Sequence, residues 1–286
     1  MVNATAEEQM TSEARTVELP QGPIRYTDRG EGPPVVFVHG LLVDGRLWQA
    51  TADRLSPDAR CIVPDWPMGS HRAPMRPDAD LSPPGMARLI ADFLAALELD
   101  GATIVGNDSG GAISQILVTR HPERIARLVL TNCDSYEHFP PFPFNAMPVL
   151  ARIPGGMTAM ALPFRLGPVR RATYGLFVDG AVDPELVDAW LAPSLRDAEI
   201  RRDGRKVTAA ADKRHTLEAA ERFGEIELPV LLAWGEDDRL FKLSQAERLV
   251  AAIPGARLVR IPNAKTFLPL DQPERLAELI ADFVSP

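Results

Sequence analysis

Short, largely apolar runs recur along the chain at Val35–Val38, Cys61–Val63, Ala102–Val105, Arg127–Thr131, Pro229–Trp234 and Arg257–Ile261. Runs of this length without polar alternation predict strands buried on both faces of a parallel sheet. Between them lie helical patterns. Residues 84–97 place Met86, Leu89, Ile90, Phe93, Leu94 and Leu97 on one face, residues 112–120 form an amphipathic run, and 273–284 close the chain in the same way. Ahead of the first run, Thr16–Leu19 and Ile24–Asp28 flank Pro20-Gln21-Gly22-Pro23, which predicts an antiparallel hairpin. Strands alternating with helices give an α/β class, a mostly parallel sheet with helices on both faces. Ligands in such sheets bind beyond the carboxyl ends of the strands, where Asp108, Asp134 and Asp238 fall.

From Ser135 the texture changes. Pro140, Pro141, Pro143, Pro148, Pro154, Pro163 and Pro168 interrupt any long element, yet Phe, Leu, Met and Ala stay frequent, so short helices are expected, one of them near 184–191. The apolar content argues against a linker or a disordered stretch.

The stretch with the most chemical content is Gly106-Asn107-Asp108-Ser109-Gly110-Gly111, between a strand and a helix. A turn so tight needs small residues around its apex, and the apex is Asp108. The following helix turns free N–H groups and its positive dipole end toward that carboxylate, leaving the Ser109 N–H as a donor for a developing oxyanion. An ordinary helix-capping aspartate is the plainer reading of the same residues. Counted as G-x-S-x-G, Asp108 occupies the serine slot, and the stretch resembles the nucleophile elbow of the α/β-hydrolase superfamily. The branch it resembles attacks through a carboxylate, as haloalkane dehalogenases and epoxide hydrolases do.

That resemblance spans about residues 17–286 and implies the α/β-hydrolase fold with an inserted helical cap. It divides the chain into a disordered tail at 1–15, a core at 16–135 and 216–286, and a cap at 136–215 that excludes water and shapes the pocket. His39-Gly40-Leu41-Leu42 corresponds to the loop whose Leu41 N–H completes the oxyanion hole, with His39 bracing that loop and Trp48 following at the family's spacing. Gly235-Glu236-Asp237-Asp238 picks out Asp238 as the triad acid.

The third triad member departs from the pattern. Relatives read roughly I-P-x-A-G-H-F, whereas this chain reads Ile261-Pro262-Asn263-Ala264-Lys265-Thr266-Phe267, which puts Thr266 in the place of the histidine. The accompanying change to Lys265 favours natural divergence over an engineered removal. Displacement at carbon needs only an aligned carboxylate, but hydrolysis of the resulting ester needs a base near neutrality. His71 and His138, expected near the rim, could serve or could be bracing and surface histidines. Asp134 could be an alternative acid or a cap. Relatives carry tryptophan after the nucleophile, where this chain has Ser109, and epoxide opening in the family uses two cap tyrosines, for which Tyr136 and Tyr174 are available. Trp66 and Trp190 could line a pocket or simply pack.

Composition narrows the classes. With 286 residues and 45% hydrophobic content the chain can bury a full core and an insertion. A net charge of −8 with interspersed signs argues against nucleic acid or an anionic membrane as partner. Cys61 and Cys133 lie in strand-like runs as expected free thiols, and no metal or cofactor is implied. The polar start of the chain and the lack of long apolar runs point to the cytoplasm, with a small molecule as partner; nothing sets the oligomeric state. The leading expectation is an enzyme hydrolysing an epoxide, haloalkane or ester through Asp108. The alternatives are a lyase or isomerase with Asp108 as general base and Thr266 orienting substrate, and a ligand-binding protein on a degenerate hydrolase scaffold.

Overall fold

A computed structural model describes residues 14–285. The tail expected over 1–15 lies outside the described residues except for Ala14 and Arg15, and Arg15 already begins the first strand. The strands are β1 (Arg15–Leu19), β2 (Gly22–Arg29), β3 (Pro34–Val38), β4 (Arg60–Pro64), β5 (Ala102–Asp108), β6 (Ile125–Cys133), β7 (Val230–Gly235) and β8 (Arg257–Ile261). They form one sheet in the order β1-β2-β4-β3-β5-β6-β7-β8. The expected hairpin pairs β1 with β2, and β2 lies antiparallel to β4; every later pairing is parallel.

The chain steps from β3 to β4 on one side and then places β5 on the other side of β3. The carboxyl ends of β3 and β5 therefore flank the point where the sheet reverses its winding, the place where a crevice must open. The core helices are α1 (Gln49–Leu55), α2 (Pro83–Ala96), α3 (Ser109–Arg120), and, beyond β7, α10 (Leu243–Ala252), α11 (Leu268–Asp271) and α12 (Pro273–Val284). Ser82 caps α2, its Oγ accepting from the Gly85 N–H at 3.2 Å, with Pro83 at the first helical position. Met86, Leu89, Ile90, Phe93 and Leu94 then form its buried face.

Helix α3 differs from the amphipathic expectation: Gly110 to Thr119 are all buried. Its polar side chains turn inward onto backbone, with Ser114 Oγ donating to Gly110 O at 2.8 Å and Gln115 Nε2 to Asp134 O at 2.8 Å. The helix is covered by α2 and by a later helix at Lys213–Ala220, so it has no water-facing side.

Between β6 and β7 lie α4 (Met147–Arg152), α5 (Gly156–Ala161), α6 (Gly167–Tyr174), α7 (Pro184–Arg196), α8 (Ala198–Ala210) and α9 (Lys213–Ala220). Residue 215, where the cap was expected to end, falls inside α9, which packs on α3. Helix α7 runs five residues beyond the expected 184–191, through Pro193, because Trp190, Leu191 and Ser194 are buried against the core. The indole N–H of Trp190 donates to Asp44 Oδ1 at 3.0 Å, and the Tyr174 hydroxyl donates to Leu42 O at 2.8 Å. From α8, fully buried Asp203 accepts from the Met75 N–H at 2.8 Å, faces His71 Nε2 at 3.3 Å and pairs with Arg202 at 2.9 Å. Among the described residues, no helix is long and apolar enough to cross a membrane.

Removing one partner of a buried charged network leaves the others uncompensated. Asp203→Ala is expected to lower unfolding stability by about 3–5 kcal/mol in urea titrations. A loss below about 1 kcal/mol would show that this junction does not hold the inserted helices to the core.

Candidate active site

Asp108 ends β5 with φ 54° and ψ −133°, a backbone conformation that side chains rarely adopt and that occurs where the surrounding structure enforces it. Three close approaches do so. A Cβ on Gly40 would lie 2.0 Å from Asp108 Oδ2, one on Gly110 would lie 2.3 Å from His39 O, and one on Gly106 would lie 2.8 Å from the Gly111 Cα. Only glycine lets the loop after β3, the elbow and the start of α3 touch. The Leu41 N–H points into the same corner, donating to Ser109 Oγ at 3.0 Å, and Ser109 Oγ lies 3.5 Å from Asp108 Oδ2. Burial pushes the Asp108 carboxyl up to about 7; the Ser109 N–H opposes this, the charge of Asp238 adds to it, and the Leu41 N–H opposes it again.

Asp238, after β7, is held at both oxygens. Oδ1 accepts from the Leu240 and Phe241 N–H groups at 2.7 and 3.1 Å, and Oδ2 from Asn132 Nδ2 and Thr266 Oγ1 at 2.9 and 2.8 Å. Burial raises its pKa, and these donors, Thr266 first, work against the rise. Asp134, directly after β6, contrasts with it. It is 2% exposed, and its Oδ1 is buried without a hydrogen-bond partner. Burial first, and then the neighbouring Asp108, push its pKa well above the carboxylate range. The two residues are adjacent across the sheet, where Asp108 pairs with Cys133 and the Asp134 N–H lies 3.4 Å from Asp108 O.

Asp108, Ser109 and Asp134 open onto a cavity of about 390 Å³. Its walls are mainly apolar, with Leu41, Leu42, Phe139, Phe144, Met147, Phe164, Phe177 and Phe267 among them. Arg201 also reaches this wall, its Nη1 donating to Ser194 O at 2.7 Å. This size and lining suit a small organic molecule.

Residues 33–273 match the family model of the alpha/beta hydrolase fold. The chain belongs to this family. As an alpha/beta hydrolase it is 27% identical over 279 residues to a haloalkane dehalogenase 2 of Mycobacterium tuberculosis, a match covering 94% of each chain. It is 25% identical over 272 residues to a 2-hydroxy-6-oxo-6-phenylhexa-2,4-dienoate hydrolase of Burkholderia cepacia, covering 92% of this chain and 91% of that one. A crystal structure of an alpha/beta hydrolase fold protein from Burkholderia ambifaria superposes with a TM-score of 0.80 at 23% identity, covering 94% and 97% of the two chains. That likeness is one of fold.

The remaining expected site residues of this alpha/beta hydrolase divide by position. His39 is fully buried and spans two loops: Nδ1 lies 2.9 Å from Gly40 O, and Nε2 accepts from the Trp66 N–H at 2.9 Å. This pattern puts its proton on Nδ1, and burial depresses its pKa to about 4, so the ring is a neutral brace. His71 was expected near the rim; it is instead buried against Asp203 and is absent from the cavity wall. His138 is exposed beside Glu137, 3.6 Å away. Tyr174 lines the cavity, but its hydroxyl is committed to Leu42 O. Tyr136 is turned away, donating to Arg248 O at 3.3 Å beneath the Arg248 guanidinium. Trp66 and Trp190 pack in the core with their N–H groups on Phe37 O and Asp44 and do not line the cavity. Thr266 is also off the wall and fully buried, so its hydroxyl cannot orient a substrate while it holds Asp238.

Two residues central to this arrangement carried no sequence signal of their own. Asn107 Nδ2 donates to Thr266 O at 2.6 Å and Thr131 Oγ1 at 2.8 Å, joining the elbow to the loop after β8. Asn132 bridges Asp238 and Gly235, receiving the Gly235 N–H at 2.7 Å. The neighbouring Lys265 donates from Nζ to Val178 O at 2.8 Å and from its N–H to Asp271 Oδ2 at 2.9 Å.

Thr266→Val keeps the shape of the side chain and removes one donor from Asp238, so a loss of about 1–3 kcal/mol is expected in urea unfolding; an unchanged midpoint would mean that the Asp238 bond contributes nothing. Asp108 supplies a second test. Its folded pKa of about 7 lies above its ordinary value of 3.8, so the stability it contributes is present below about pH 4 and is lost as pH rises through 7. Asp108→Asn is therefore expected to melt higher than the native protein at pH 8, the gap narrowing toward pH 4. A gap that is constant or opens in acid would refute the strained carboxylate.

Proposed function

We propose that this protein is a hydrolase that opens a small apolar electrophile by displacement at carbon, with Asp108 as nucleophile. The observation that carries this reading is the placement of the Asp108 carboxylate at the floor of an apolar cavity with Oδ2 against the Gly40–Leu41 backbone. A carboxylate oxygen fixed on that side leaves its partner to attack a carbon in the cavity. In a site poor in water such an oxygen is weakly solvated and correspondingly reactive. The product of attack is an ester of Asp108. Its hydrolysis develops negative charge on the carbonyl oxygen, for which the Leu41 and Ser109 N–H groups are the available donors. Asp238 then serves as a structural acid that fixes the loop after β8 through Thr266.

The rise of the Asp108 pKa to about 7 favours a second reading, proton abstraction from carbon by Asp108 in a lyase or isomerase. The two differ in whether a covalent bond forms. Intact-protein and peptide mass spectrometry after incubation with epoxides, haloalkanes and esters is expected to give an adduct on Asp108 in the quenched native protein, with or without product, and both should disappear in Asp108→Asn. Turnover that survives Asp108→Asn would overturn both readings. Turnover lost in Asp108→Asn without an adduct in the quenched native protein would favour the general base.

A further inference from the structure

We propose that Asp134 is the acid–base catalytic residue of this site and that the electrophile it fits is an epoxide. This inference rests on Asp108 acting as nucleophile. Among the described residues that line it, no histidine occurs, and the groups able to exchange a proton are Asp108, Asp134 and Tyr174, whose hydroxyl is spent on Leu42 O. The Arg201 guanidinium cannot act as a base near neutrality. Asp134 is 98% buried and borders the cavity; its Oδ1 is sealed from the cavity and without a partner, so the oxygen that can meet a substrate is Oδ2. A buried polar atom left unpaired costs stability and calls for an explanation in what it is used for. Its neighbour Asp238 has four donors and does not reach the cavity, so the two acids have separate duties.

The carboxyls of Asp108 and Asp134 stand at the ends of adjacent strands, and the Asp108 charge adds to burial in raising the pKa of Asp134, so with Asp108 ionised the ionisation of Asp134 is disfavoured. With Asp108 ionised and Asp134 neutral, attack of Asp108 on an epoxide carbon forms the ester C–O bond and breaks the ring C–O bond. The electron pair goes to the ring oxygen, which takes the Asp134 proton and becomes a hydroxyl. Asp134 is now a carboxylate beside an uncharged ester, and it is the base that the second half-reaction lacks. It accepts a proton from water as the water oxygen adds to the ester carbonyl carbon. The tetrahedral intermediate expels the glycol oxygen, which leaves with the remaining water-derived proton; Asp108 is again a carboxylate and Asp134 again an acid. The sum is epoxide plus water to diol, and the pair carries one negative charge throughout.

A haloalkane does not fit this cycle. Halide leaves without a proton, so Asp134 stays neutral and no base is generated. Among the described residues that line the cavity there is no tryptophan, so no indole N–H receives a halide there; the N–H groups of Trp66, Trp190 and Trp234 are bound to Phe37 O, Asp44 and Phe241 O, and Trp48, whose N–H has no partner, is fully buried away from the wall.

Styrene oxide and 1-bromobutane test this on the native protein and on Asp134→Asn, with product measured by chromatography and the Asp108 ester by mass spectrometry. Native protein is expected to turn styrene oxide over to the diol but to be alkylated once by 1-bromobutane and stop. Asp134→Asn should lose about 10²- to 10⁴-fold in diol formation while still being alkylated by 1-bromobutane, which also shows that the variant is folded. If Asp134→Asn keeps its diol rate, or if native protein turns 1-bromobutane over repeatedly, the role of Asp134 is overturned and Asp108 stands as nucleophile. If neither probe marks Asp108 or gives product in the native protein, the nucleophile reading fails and this inference with it. The native comparison of the two probes decides the matter even should Asp134→Asn not fold.

Discussion

Everything at the carboxyl end of this sheet depends on the steric closeness of three backbone segments. The loop after β3, the elbow after β5 and the first turn of α3 meet at distances that exclude a Cβ at Gly40, Gly106 and Gly110. That contact forces the unusual backbone of Asp108, presses Oδ2 onto the loop, and brings the Leu41 N–H to the side chain of Ser109. The hydrophobic strands supply the stability that keeps such a corner closed. Val35 to Val38, Ile104 and Val105 are fully buried, and burial at this scale outweighs local strain of a few kcal/mol.

The three aspartates at this end illustrate how environment assigns different work to one side chain. Asp238 is tied by four donors and fixes the loop after β8. Asp108 has partial support from backbone N–H groups and titrates near neutrality. Asp134 has a buried oxygen with no donor, and burial together with the Asp108 charge pushes its pKa well above the carboxylate range. The gradient runs from a fully bonded acid to one with an unpaired oxygen, and it follows the number of donors.

The fold was legible because its signals are local. The apolar runs at Val35–Val38 and Pro229–Trp234 have the length and uniform character of interior strands, and the glycines around Asp108 announce a turn too tight for side chains. The site was partly legible, since Asp108, Leu41, Ser109 and Asp134 sit at strand ends in sequence and meet at the same cavity in space. What escaped depends on pairings between distant segments. His71 looks like a rim histidine until Asp203, 132 residues later, draws it into the junction with α8. Thr266 reads as a vacant catalytic position, yet its hydroxyl is occupied by an acid 28 residues earlier and its carbonyl by Asn107, 159 residues earlier. No periodicity or motif encodes such bonds. Helix α7 runs past 191 and through Pro193 because Trp190 and Ser194 are buried on the core, a contact that no local pattern announces.

The turn from Ala264 to Phe267 also constrains how this protein can change by mutation. Lys265 fastens it to Val178, Asp271 accepts from its backbone, and Thr266, itself without exposed surface, bonds Asp238. Each residue there now holds a bond that its neighbours rely on. An imidazole introduced at 266 alone would have to displace packed atoms and release the Asp238 bond before it gained anything. A histidine at 266 therefore needs compensating changes at its neighbours, whereas residues that face the cavity can change without breaking these bonds.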